Sequence, residues 1–473
     1  MKNFIDDNWL IGNKTGVSLF HEVASSLPIV DFHNHVNPHY LAENRCFENL
    51  AQIWVNEDPY KHRAMRICGI AEEEITGNAN DLQKFYNWAE TLPKTMGNPL
   101  FHWSALELKR VFGIDDLLNS SNAREIWDSC NKKLQQNEFS SRSLVSSFGS
   151  EILITSDDIL DDLESHHSLH LSQFETQVLP SLRADSLVTF SKTNSKNWIE
   201  KLGTDTRVSI NSLQDFLEAV KIRLDYFGES GCLFADHGLD AGFSYMPTSE
   251  EEASKIFKQL ISEDYPIEMD PIRLKSFLLH FLGTEYGKRN WIMQLHIGAQ
   301  RKTSSRLRKL AGAAGGFASI GNACDINSLT LFLDGLEQMG ALPETILYTL
   351  NPTDNAAFAS LTGSYTEDGI IGKIQFGPAW WYNDHEAGIR NHLSDLSSYG
   401  VLNSFIGMTT DSRSILSLSR HEYFRRILCD QIGAWAEAGK IPNDTSILTD
   451  LISNISYQNI KTKIQKRQGV CQK

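Results

Sequence analysis

Pro28-Ile29-Val30-Asp31-Phe32-His33-Asn34-His35 opens the chain's chemistry, and Thr409-Thr410-Asp411-Ser412-Arg413 answers it far downstream. The β-branched run Ile29-Val30 reads as a buried strand, and because strand side chains alternate, His33 and His35 point the same way at its end. If one fold joins the two stretches, two imidazoles and the Asp411 carboxylate meet around one divalent cation. That donor set suits Zn²⁺, with positions left for water or substrate. Read alone the pair is weak, since fifteen histidines would produce a His-x-His by chance in roughly one such chain in two. Two incidental strand-end histidines explain it equally well until the rest of the chain is weighed.

Other apolar runs also stop at polar clusters. Ile152-Leu153-Ile154 ends in Thr155-Ser156-Asp157-Asp158, Val178 to Leu182 ends in Arg183-Ala184-Asp185, and Cys232-Leu233-Phe234 leads to Asp236-His237-Gly238. Ile292 to Leu295 ends in His296, Ile346-Leu347-Tyr348 in Asn351-Pro352, Ile371 to Phe376 in Gly377-Pro378, and Phe405 to Met408 in Asp411. With Ile29-Val30 these make eight candidate strands, most of them separated by helical stretches, which is the pattern of an α/β fold of the (β/α)₈ TIM-barrel type. Such barrels carry their chemistry at the carboxyl ends of the strands, where these clusters fall. Leu213, Phe216, Leu217, Val220, Leu224 and Phe227 mark one intervening helix behind Ser212.

Residues 36–150 are too many for one strand-to-helix loop. Leu82, Phe85, Trp88, Ala89 and Leu92 keep helical spacing there, so the stretch reads as a mostly helical insertion, a lid over the active-site end. The expected division is a metal-dependent barrel from 1–35 and 151–473, with 36–150 inserted. Ala311-Gly312-Ala313-Ala314-Gly315-Gly316 reads as a flexible loop after the fifth strand, and it lacks the Lys-Ser/Thr ending of a phosphate-binding P-loop. The polar stretch after Ile460 is expected to fray.

A net charge of −15 argues against nucleic acid or an anionic membrane as partner, but permits an anionic small molecule if arginines are focused in the site. The seven cysteines are widely spaced with no CxxC pair, so neither a disulfide framework nor a thiolate zinc site is indicated, and a reduced, cytoplasmic setting follows. No stretch reaches the ~18 apolar residues of a membrane span. The oligomeric state is left open, a homo-oligomer included.

Several blocks taken together resemble the uronate (glucuronate) isomerase family of the amidohydrolase superfamily. They are Asp31 to His35, Ala42-Glu43-Asn44 with Phe47 to Leu50, Tyr60-Lys61 with Arg63 to Arg66, Gln294 to Ala299, Thr410 to Ser414, and Arg420 to Arg426. The resemblance implies interconversion of D-glucuronate with D-fructuronate and of D-galacturonate with D-tagaturonate, through proton transfer from C2 to C1 by way of an enediol. It puts His33, His35 and Asp411 around one metal, with Asp411 also taking the C5 hydroxyl proton. It makes Tyr60 the C2-to-C1 proton shuttle, Arg413 the positive neighbour that a phenol with a reference pKa near ~10 requires, Arg183 a ligand for the sugar acid, and His296 a support for the metal or a hydroxyl. The Arg420–Arg426 block is expected to serve packing or subunit contact.

Each role has a plainer counterpart. Tyr60 could be a surface tyrosine, Arg183 a salt-bridge partner of Asp185, His296 a core histidine, and Asp411 a helix cap. One departure stands out: the family usually has a histidine before the tyrosine, placed to polarise the C1 carbonyl, where this chain has Pro59. Proline offers neither a side-chain donor nor an N–H, and His62 is the expected substitute. The departure also keeps open an isomerase for another uronate, or an inactive sugar-acid binder. A metal-dependent hydrolase or lactonase is the competing class. Against it, the fourth run carries no lysine and the sixth no histidine, the bridging and metal-binding groups of two-metal hydrolases.

Overall fold

The computed structural model describes residues 4–188, 195–240, 242–262 and 271–471. Parallel strands curl side by side: β1 (Ile29–Asn34), β2 (Ser150–Asp158), β3 (Gln177–Arg183), β4 (Phe234–Asp240), β5 (Ile292–Gln300), β7 (Thr345–Thr349) and β8 (Ile374–Phe376). A short β6 (Ser319–Ile320) pairs antiparallel with the end of β5. Neighbouring strands keep matched registers, as in Ile152↔Gln177, Phe234↔Ile292 and Met293↔Thr345, so their carboxyl ends open onto one face. A parallel sheet covered on both faces needs apolar residues on both sides of each strand. β1, β7 and β8 are buried along their whole length.

The last expected strand differs. Phe405–Met408 forms no ladder; it is an extended stave that closes the barrel mainly through side chains. On one side Gln375 Nε2 donates to Ser404 O at 3.0 Å. On the other, His33 N–H donates to the Thr409 hydroxyl at 2.8 Å, and Thr410 N–H donates to Asp31 Oδ1 at 2.7 Å rather than to a backbone carbonyl. Gly407 explains the irregularity: its φ is +84°, and a Cβ there would lie 2.1 Å from Ile455 O. The chain is pressed against that carbonyl in a conformation glycine alone adopts without strain. Two backbone bonds then seat the end of the stave, from Asp411 N–H to His33 O (3.0 Å) and from His35 N–H to Ser412 O (2.9 Å).

Between β1 and β2 the chain forms seven α-helices and no strand. Of these, the helix Pro59–Ile67 bears on the site. Asp58 caps it, accepting from the N–H groups of Tyr60 (2.8 Å) and Lys61 (3.1 Å), and Pro59 is the first helical residue, where its missing N–H costs nothing.

The tail is not frayed. Asn459–Cys471 is helical, with Ile460 and Ile464 buried. Arg467 donates to Asn290 O (2.9 Å) and pairs with Glu344 (2.7 Å), so the helix plugs the amino-terminal end of the sheet. Its polar residues are partners for loop carbonyls and acids at the barrel floor, which composition does not reveal. No helix among the described residues is long and apolar enough to cross a membrane.

Candidate active site

A cavity of about 310 Å³ opens at the carboxyl ends of the strands, lined by residues from both ends of the chain and from the helix after Pro59. At its floor His33 Nε2 and His35 Nε2 lie 3.3 and 2.9 Å from the same oxygen, Asp411 Oδ1. The other oxygen, Oδ2, accepts from Trp380 Nε1 at 2.7 Å, which turns Oδ1 toward the imidazoles. Asp411 itself is held at φ +46° by its bond to His33 O, a strained backbone of the kind that gathers at functional sites. Burial alone would raise the Asp411 pKa, but hydrogen bonds and charge from His33 and His35 outweigh it and keep the carboxylate ionised, well below its usual range. The two histidines are pushed apart. Burial lowers both, yet the charges of Asp236 and Asp411 win at His33 and raise it, whereas burial wins at His35.

A cation fits this floor. The three ligand atoms lie within 4.8 Å of one another, and imidazole nitrogens with a carboxylate oxygen form a donor set for a borderline divalent ion. His33 Nδ1 and His296 Nε2 are buried there without a hydrogen-bond partner. His296 is locked from behind: its Nδ1 lies 2.9 Å from Asp236 Oδ1, Ser156 donates to Asp236 Oδ2 at 2.9 Å, and its ring stacks on Tyr348 with centroids 4.1 Å apart. Carboxylate support of this kind leaves the far nitrogen free to bind.

Arg183 projects into the same cavity, 3.0 Å from Asp185 and 4.0 Å from Asp236, and these carboxylates offset its burial and keep it cationic. Arg301, directly after β5, also lines the cavity, its Nη1 donating to Leu239 O at 3.3 Å. Arg413 stands exposed at the rim.

Tyr60 forms part of the wall of the same cavity. Burial raises its phenol well above the usual value, helped by the negative charges of Asp411, Asp384 and Asp58 and opposed by Arg420. The cation over the ring is Arg420, 5.9 Å from its centroid, rather than the expected Arg413. The Ala-Gly loop backs this wall: a Cβ on Gly316 would lie 2.1 Å from Pro59 O, and Arg63 Nη1 ties the loop to the helix through Ala318 O at 2.9 Å. Only glycine permits that approach.

The structure brings His33, His35, Tyr60, Arg183, His296, Asp411 and Arg413 to one cavity, but not His62. Two positions along a helix is a rotation of about 200°, so His62 faces away from Tyr60's side. Its ring is buried, with Nε2 2.8 Å from Val55 O, and burial lowers its pKa to about 4. It is a neutral ring tying two turns of the insertion together. His62→Leu should therefore leave kcat within a few-fold of wild type and cost about 1 kcal/mol of stability for the lost hydrogen bond. Steady-state rates alongside a denaturant titration would check this, and a collapse of kcat in a folded variant would restore His62 to the site.

Four residues of the cavity and its walls were given no site role from sequence: Asp236, Arg301, Trp380 and Arg420. Asp236 lies within β4, Arg301 directly follows β5 and the pair Trp380-Trp381 follows β8, so nearness to a strand that reaches the active-site face was their signal. Arg420 belongs to the block expected to serve packing or subunit contact, and it reaches Tyr60 from the helix that carries that block.

Comparison with known proteins agrees with this architecture. A family model described as glucuronate isomerase matches residues 1–463. The chain is 43% identical over 462 residues to the uronate isomerase of Caldanaerobacter subterraneus subsp. tengcongensis, covering 98% of this chain and 99% of that one. The crystal structure of the Thermotoga maritima uronate isomerase superposes with a TM-score of 0.91 at 30% identity, covering 98% of this chain and 100% of that one. Since these matches span both halves of the split floor and the helices inserted between them, the chain belongs to the glucuronate isomerase family.

Proposed function

We propose that this protein is a uronate isomerase, interconverting D-glucuronate with D-fructuronate and D-galacturonate with D-tagaturonate. The observation that carries the reading is the convergence of His33, His35 and Asp411 in a cavity that Tyr60 also lines. His33, His35 and Asp411 would hold one divalent ion, for which Zn²⁺ is the best match, with His296 beside them. When bound, that ion supplies positive charge for the substrate carboxylate and its neighbouring C5 hydroxyl.

Arg183 pairs with the sugar acid, and once the ring is open the ionised Asp411 accepts the C5 hydroxyl proton and returns it to that oxygen before the product leaves. Tyr60 then serves C1 and C2. Its buried phenol keeps its proton at rest, so it first acts as an acid, protonating the C1 carbonyl oxygen. The phenolate so formed removes the C2 proton, and the C1–C2 enediol results. The phenol next protonates C1 while the phenolate takes the proton from the C2 hydroxyl, leaving the ketone at C2. One group thus supplies the electrophile and the base, and no donor is required at Pro59. We read the enzyme as cytoplasmic, in keeping with the unpaired thiols of Cys46, Cys68, Cys130, Cys232, Cys324 and Cys429.

Proton NMR in D₂O with each aldohexuronate should show the keto acid accumulating, with deuterium entering C1 to the extent that Tyr60 exchanges with solvent. Prolonged chelation should abolish conversion and Zn²⁺ should restore it. No conversion by folded, metal-loaded protein would overturn the reading, and release of an alcohol or ring-opened acid from a uronate ester or lactone would favour the hydrolase.

A further inference from the structure

Arg420 opens the helix Arg420–Glu437 and is almost wholly buried. One edge of its guanidinium donates to Asp384 Oδ2 at 2.7 Å, and Nη2 donates to the carbonyl of Thr410, the residue before Asp411. Its face covers two rings, that of Trp103 at 4.5 Å and that of Tyr60 at 5.9 Å, and these rings meet edge to face at 5.7 Å.

A buried pair that serves packing alone is expected to be bidentate, with both carboxylate oxygens used. Here Asp384 Oδ1 and Arg420 Nε are both left without a hydrogen-bond partner. The guanidinium is instead spread over three tasks: one acid, one carbonyl beside the metal floor, and the aromatic wall. The charged groups bearing most on the Tyr60 phenol are Asp58 at the cap of its own helix, Asp384 in the turn after β8, Asp411 on the stave, and Arg420. The first three oppose a phenolate, and Arg420 is the cation set against them.

We infer that Arg420 is a positioning residue for proton transfer, holding the Tyr60 ring in register with the Asp411 floor and stabilising the phenolate formed when Tyr60 gives up its proton. The attraction of a cation to a ring face grows as the ring gains negative charge, so the contact is stronger in the reacting state than at rest. The catalytic use of the contact rests on the isomerase reading; the contact itself does not.

The test is to install difluorotyrosine at position 60, whose phenol ionises at lower pH than tyrosine, and to follow its phenolate absorbance against pH in three backgrounds. Arg420→Met should raise the midpoint by about one to three units, the range for an opposite charge at such distances. Arg420→Lys should recover much of that shift, and Asp384→Asn should lower the midpoint. With natural Tyr60 in place, Arg420→Met should depress kcat by about 10²-fold with KM within a few-fold and metal content unchanged. A residue that merely packs would leave the phenol midpoint unmoved in Arg420→Met, and that result would overturn the inference. Should Arg420→Met fail to fold, the double variant Arg420→Met/Asp384→Leu removes the pair without stranding either charge. A midpoint above that of Asp384→Asn alone supports the inference, and one equal to or below it overturns it. Because the phenolate titration needs no turnover, failure of the wild type to convert any uronate would count against the isomerase reading and leave Arg420 to be judged separately.

Discussion

Tyr60→Phe should lower kcat for uronate isomerisation by about 10²–10⁴-fold, the span associated with losing a positioned acid–base group, while substrate affinity and metal content hold. The substitution removes one oxygen from the cavity wall and leaves the ring that Trp103 and Arg420 contact, so the wall should keep its shape. Washout of deuterium from C2-labelled substrate should fall in parallel with kcat, since in the proposed cycle the same oxygen serves both. If washout persists while keto acid formation stops, another group removes the C2 proton and Tyr60 is confined to donation. An active Tyr60→Phe enzyme would move the chemistry to another group on the cavity wall.

Asp31→Ala should be among the most destabilising single changes in the chain, by about 3–5 kcal/mol, the cost of stripping one partner from a buried charged cluster. Asp31 is completely buried and accepts from the Thr409 hydroxyl at 2.6 Å, from Thr410 N–H at 2.7 Å and from the Thr410 hydroxyl at 2.6 Å, with His421 Nε2 3.5 Å away. Removing the carboxylate leaves the backbone N–H and the hydroxyl of Thr410 without acceptors, leaves the Thr409 hydroxyl only the His33 carbonyl, and loosens the stave that delivers Asp411 to His33. The denaturant midpoint should fall with its slope unchanged, and metal affinity should drop with it. Asp31→Asn, which keeps one acceptor oxygen, should lose less. Burial would raise the Asp31 pKa, but His421 and the two threonines outweigh it and hold the carboxyl below its reference value of 3.8. The stabilisation from this group is therefore complete above that value and is lost as pH falls through the lower folded one. Wild type and Asp31→Asn should converge in stability at acid pH. A wild-type-like midpoint for Asp31→Ala at neutral pH would mean that backbone bonds alone hold the stave.

Both predictions turn on contacts that differ in how legible they were. The apolar runs and the clusters that end them placed most strands, because a parallel strand buried on both faces must be apolar and must stop where it meets solvent and substrate. His33, His35 and Asp411 were legible as candidates for the same reason: few residue types can hold a metal ion, and these stand where β1 and the stave end. The stave at 405–408 looked like another strand because its residues are apolar. Only the close approach of Gly407 to the Ile455 carbonyl, and the capture of the Thr410 N–H by Asp31, make it irregular.

His62 and Arg420 mark the other boundary. Adjacency to Tyr60 suggested His62, but the helical turn of the insertion carries it to the buried side, where Val55 O receives it. Arg420 lies hundreds of residues from Tyr60 in sequence, and nothing in the composition of its helix ties the two together. What the sequence by itself determined were the α/β architecture, which follows from the pattern of apolar runs, the family, which follows from the resemblance of several motif blocks, and the candidate ligand types, which follow from side-chain chemistry. What only the tertiary structure decided was which charges face Tyr60, because electrostatic influence depends on distance and burial, and both are set by how the inserted helices seat on the barrel.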